Sequence, residues 1–282
     1  MKIVLSLVVA LLIVMPLSIS AHGDLHIQIQ EVTRQIEKEP RNADLYLKRG
    51  ELHRAHQEWD AAQADYDHAF ALNPKLAVVD LARGRMFLEA NWPISAKVAL
   101  DRFLAVYTNH VEGLTARARA LVKLDQRLAA ARDYTAAIHH SIEPRPELYL
   151  ERAQALTTEG GVHLDEALKG LDQGIKKLGP LVTLQLYAID VEIKQKRFDA
   201  ALARLERVAA QSPRKETWLA RRGEILQQAG RKAEAREAFQ SALAAMDKLP
   251  PARRHVPAMA ELEKRLQQAL DSLSSGEPDG GK

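Results

Sequence analysis

The sequence predicts an all-α fold, a solenoid of about six helix pairs with a capping helix at each end. Three observations predict it. Small residues recur at Gly50, Gly84, Ala118, Ala153, Ala188 and Gly223, in steps of 34, 34, 35, 35 and 35. Alanines recur at Ala62, Ala96, Ala130, Ala167, Ala201 and Ala235, in steps of 34, 34, 37, 34 and 34. Four residues after each alanine stands a large apolar side chain: Tyr66, Leu100, Tyr134, Leu171, Leu205 or Phe239. Three further on come Ala69, Phe103, Ala137, Gly174, Val208 and Ala242. Spacings of four and three put these residues on one stripe of a helix. The small residues of the first series let a partner helix come close.

Along the chain, Met1 and Lys2 form a short basic start, and Ile3–Val14 is apolar apart from Ser6, with Pro16 and small residues following. This is the pattern of a secretory signal peptide over 1–21, cut after Ser20 or Ala21, with an uncleaved anchor as the alternative. No later stretch is apolar enough to span a membrane. Residues 22–42 hold an N-terminal segment and a capping helix, Leu25–Glu39, with Ile29, Val32 and Ile36 at helical spacing. The helix pairs follow over 43–249, in units of about 43–76, 77–110, 111–145, 146–180, 181–215 and 216–249. Pro74, Pro144, Pro180, Pro213 and Pro250 end second helices, because proline removes a backbone donor and restricts the residue before it. Residues 250–273 supply a C-terminal cap, with an amphipathic helix over Ala258–Leu273. Residues 274–282 form a Gly/Ser/Asp/Pro tail expected to be disordered.

Composition removes several classes of function. The chain has 282 residues, 46% hydrophobic and 27% charged, which suits a packed core. It has no cysteine, so disulfides, thiolate metal sites and a Cys nucleophile are excluded. A net charge of +3 without a dense basic block gives no support to nucleic-acid binding. Gly-x-Ser-x-Gly, a phosphate-binding glycine loop and His-Glu-x-x-His are all missing. The chain therefore reads as a non-enzyme without a cofactor.

A period near 34 carrying Tyr46 or Trp218, Gly50, Trp59, Ala62, Tyr66, Ala69 and Pro74 in this order resembles the tetratricopeptide repeat, of the exported bacterial type. The resemblance covers Ala43–Leu249. Unit 2 departs from it at Pro93, unit 4 by an insertion at Gly160–His163, and unit 5 at Ala188. The resemblance implies a right-handed solenoid whose first helices line a concave face. It also implies a partner-binding groove there, formed by Glu51, Arg54, Arg85, Glu89, Arg119, Lys123, Gln154, Glu192 and Glu224. Arg85, Arg119 and Lys123 make its basic centre, suited to an acidic stretch. A carboxylate clamp is not expected, since Leu47 and Glu51 stand where it needs Lys and Asn.

Arg49, Arg83, Arg117, Arg152 and Arg222 each precede a small residue of the first series. Asp65, Asp67, Asp101, Asp133 and Asp172 recur in second helices, so structural Arg–Asp pairing is favoured over a ligand-binding stripe. The partner expected is a protein or peptide held in the periplasm. The alternative is a copper-binding accessory protein that uses His22 and His26, with the amine of a mature N-terminus at His22 as a further ligand.

Overall fold

A computed structural model describes residues 19–275 apart from 213, with side chains over 24–274. Fifteen helices and no strand occur among the described residues. The expected signal peptide lies outside them except for its last three residues, which α1 includes. The chain divides into two compact units, Met1–Ala120 and Leu121–Lys282.

The first unit holds α1 (Ile19–Lys38), α2 (Ala43–Ala55), α3 (Trp59–Leu72), α4 (Val78–Glu89) and α5 (Pro93–Val106). Its border falls inside α6 (Val111–Lys123). α1 starts six residues ahead of the expected Leu25, because no proline interrupts residues 19–24. Val32 and Ile36 of α1 join Tyr46, Ala62, Tyr66 and Ala69 in one core cluster. The α2–α3 approach turns on Gly50, where an added Cβ would sit 2.6 Å from the Tyr66 ring. Gly84 of α4 receives Leu100 of α5 in the same way. Each exchange buries one large side chain against backbone, worth about 1.5–3 kcal/mol relative to exposure. Pro93 is the first residue of α5, where its missing N–H costs nothing. The departure noted in the sequence is thus harmless.

The second unit contains α7 (Arg127–His140), α8 (Pro146–Glu159), α9 (His163–Leu178), α10 (Val182–Lys194) and α11 (Phe198–Ala210). It continues with α12 (Lys215–Gln228), α13 (Lys232–Asp247), α14 (Pro251–Arg254) and α15 (Pro257–Ser275). Phe239 of α13 packs onto Gly223 of α12, repeating the small–large exchange. In α8–α9 a second exchange runs the other way, with Tyr149 of the first helix over Gly174 of the second. α15 lays Met259, Leu262, Leu266 and Leu273 on the α12–α13 cluster around Phe239 and Met246. It runs two residues past the expected Leu273. The short helix α14 ahead of it had no counterpart in the sequence reading.

Five helix pairs share one turn. Backbone N–H groups of Glu58, Trp92, Gln126, Arg197 and Arg231 donate to the carbonyls of His53, Phe87, Leu121, Glu192 and Leu226 at 2.7–2.9 Å. This is the six-to-one bond of a Schellman motif, and the next helix starts one residue later. The motif requires a left-handed residue just before each donor. Gln57, Asn91, Asp125, Lys196 and Gly230 fill that place with φ of 64°, 61°, 61°, 58° and 76°. Only Gly230 adopts it without steric cost.

A non-glycine residue in this region costs roughly 1–2 kcal/mol. Lys196→Gly is therefore expected to raise the free energy of unfolding by about 1 kcal/mol, and Gly230→Val to lower it by a similar amount. Urea unfolding followed by circular dichroism checks both.

Candidate partner-binding surface

The groove residues of the first unit project from first helices and bind one another. Glu51 of α2 accepts the Tyr66 hydroxyl at 2.6 Å and lies 3.1 Å from Arg54 and 3.2 Å from Arg85. Arg54 also reaches Glu89 of α4 at 2.6 Å, and Arg85 reaches Glu112 of α6 at 3.1 Å. Burial raises the Tyr66 pKa, and the Glu51 carboxylate adds to the rise. At Arg54 burial opposes the charge, but Glu51 and Glu89 outweigh it and the pKa rises. Arg85 is thus held by two carboxylates and is not an open member of a basic centre. The surface in this unit alternates in sign. Arg119 and Lys123 are exposed, and each is also engaged.

In the second unit the expected residues part company. Gln154 is exposed on α8. Glu224 of α12 is partly exposed, 3.0 Å from Arg221 and 3.9 Å from Arg265 of α15. Glu192 is a correction: it is 4% exposed and cannot face a partner. Its carboxylate holds Arg204 of α11 at 2.8 Å, and Arg204 also bonds Asp172 at 2.9 Å and Gln185 at 3.2 Å. The sequence carried a signal for this cluster. Arg204 follows Ala201 by three residues, as Asp65 follows Ala62, so the unit has moved its arginine to the second helix.

The arginine series divides the same way. Arg49 makes a two-pronged contact with Asp65 at 2.7 and 2.9 Å. Arg83 bonds Asp67 at 2.5 Å and Arg117 bonds Asp101 at 3.0 Å, each linking one helix pair to the next. Arg152 has Gly170 and Thr135 where the others have aspartates. Its guanidinium fills the space above Gly170 and lies 3.5 Å from the Thr135 hydroxyl. Burial lowers its pKa, against the attraction of Glu166 and Tyr149.

His22 and His26 stand four apart on α1, and His26 is exposed and 3.1 Å from Gln30. Among the described residues no group of three or more His, Cys, Asp or Glu is arranged to hold a metal ion. No helix among them is long and apolar enough to cross a membrane. One surface went unmarked in the sequence: Ile94, Val98 and Val106 form a stripe on α5, exposed by 69%, 49% and 64%.

Paired helices of this length, tight Schellman turns and small–large exchanges at a fixed period define a helical-repeat protein. Residues 150–274 match the tetratricopeptide repeat-like domain family. No curated protein matches the sequence. A tetratricopeptide repeat protein from Parabacteroides merdae is 19% identical, with 87% of this chain and 93% of that chain covered and a TM-score of 0.53. The C-terminal part of a TPR repeat-containing protein from Cytophaga hutchinsonii is 11% identical, with 82% and 96% covered and a TM-score of 0.58. Pseudomonas aeruginosa pilF is 12% identical, with 80% and 96% covered and a TM-score of 0.52. At these identities the likeness is one of fold. The chain has the tetratricopeptide repeat fold, and its C-terminal part, residues 150–274, matches that family's model.

Removing one side of a buried ion pair costs about 3–5 kcal/mol, whereas exposed pairs are worth about 0–1. Glu192→Ala is expected to lower stability by about 3 kcal/mol, at the low end because Asp172 and Gln185 remain beside Arg204. Glu89→Ala, which removes a half-exposed carboxylate, is expected to cost under about 1 kcal/mol. Equilibrium urea unfolding of the two variants compares them.

Proposed function

We propose that this protein is a non-catalytic interaction scaffold or assembly helper that holds a segment of another protein on its first-helix surface. The observation that carries the reading is the alternating charge lattice of Glu51, Arg54, Arg85, Glu89 and Glu112. Arg85, Glu89 and Glu112 have side chains exposed by 34%, 46% and 53%. Pairs this accessible contribute little to stability, so a partner's charges can replace them at small cost. A purely basic groove would select acidic segments. This lattice instead selects a segment of mixed sign, through matched charge-assisted hydrogen bonds. The tetratricopeptide repeat fold supports the reading as a class. The basic start, apolar run and small residues of 1–21 support export to the periplasm, where the partner would be met.

The reading predicts which substitutions matter. Arg85→Glu and Glu89→Lys each invert one sign of the lattice without touching the core. Affinity capture from a cell-envelope extract, quantified by mass spectrometry, is expected to lose the same partner with both variants. Circular dichroism is expected to remain that of the parent. Equal partner recovery by parent and variants contradicts the lattice as the binding surface.

A further inference from the structure

We propose that the seam between α11 and α12 is a binding site for a small amphiphilic carboxylate, an alkyl or single-ring body bearing one acid group. The first observation is an interaction that fails to form. Residues sixteen apart link successive helix pairs at two seams, Asp67 with Arg83 at 2.5 Å and Asp101 with Arg117 at 3.0 Å. Glu206 and Arg222 occupy the same register and stand the same sixteen residues apart. No ion pair joins them among the described residues. Both line a cleft of about 340 Å³ instead.

The wall of that cleft has two characters. Its apolar part comes from Leu202, Leu205 and Ala209 of α11 and from Trp218 and Leu219 of α12. Its charged part is Glu206, Lys215 and Arg222, two cations and one anion. None of these three side chains makes a hydrogen bond or ion pair among the described residues, and Arg222 acts through space on Glu234. An apolar wall beside a net positive charge matches an apolar ligand with a single negative head. The Trp218 ring belongs to the apolar part of the wall, with its Nε1–H buried out of reach of the cleft. Ligand pockets span about 300–1,000 Å³, and this cleft lies at the small end. It has room for one apolar body. The site does not involve the first-helix charge lattice, so its fate is independent of the scaffold reading.

The test is calorimetric titration of the full chain with octanoate, octanamide and octyltrimethylammonium. Octanoate is expected to saturate one site per chain, at least about tenfold more tightly than octanamide, because its head gains charge-assisted hydrogen bonds. The ammonium is expected to bind more weakly still. Lys215→Gln with Arg222→Gln should bring octanoate down to the affinity of octanamide. Glu206→Gln should tighten octanoate, because it removes the one repulsive charge. Ala209→Trp should fill the cleft and abolish binding of both, which separates this site from the exposed stripe on α5. Circular dichroism identifies any variant that fails to fold, and Glu206→Gln, an exposed isosteric change, keeps the test decisive in that case. Equal affinity for octanoate and octanamide, an octanoate advantage that survives loss of both cations, or no saturable binding overturns the proposal.

Discussion

Close approach of two helices is the constraint on which the rest of this structure depends. A helix can lie against its partner at short range only where one of them presents almost no side chain. Gly50, Gly84 and Gly223 provide that surface, and Tyr66, Leu100 and Phe239 occupy it. All three large side chains are 0–1% exposed. The hairpin is thereby fixed in register, and its short Schellman turn follows from the need to reverse direction at once. The turn accepts Gln57, Asn91, Asp125 and Lys196 at positive φ because the packing of the pair outweighs the strain.

Charge sets the spacing between hairpins where apolar contact does less. Arg83 and Arg117 reach back to the preceding pair, and Arg204 binds the buried Glu192 and Gln185 together with the half-exposed Asp172. The same device is incomplete in two places. Arg152 has lost both of its aspartates, and Glu206 stands apart from Arg222 across a cleft. These seams depart from the rule that the rest of the chain follows, which makes the second of them a candidate for ligand chemistry.

Much of this is legible in the amino-acid sequence. The small–large exchange shows itself because its two members are sixteen residues apart in four of the six hairpins, and a near-fixed period exposes such pairs. The Arg–Asp pairing was legible for the same reason at Arg49, Arg83 and Arg117. Repeat position alone places Glu192 on a surface, but in this unit Tyr187 replaces the arginine of the first helix and Arg204 stands in the second, which draws Glu192 inward. A swap of charge across a pair leaves the period intact and changes what is buried. The turn residues were not legible at all, since Gln, Asn, Asp and Lys share no chemistry that demands a left-handed backbone. The neutralisation of Arg85 likewise needed distances, because its two partners lie on different helices.

Native-state hydrogen exchange tests the central claim, that the hairpin is the unit of stability and the α11–α12 seam a weaker joint. Extensive packing joins α12 to α13, and much sparser packing joins α11 to α12. Amides of α12 and α13 are therefore expected to share one opening free energy, distinct from that of α11. A common opening free energy for α11 and α12, with α13 exchanging separately, would contradict it.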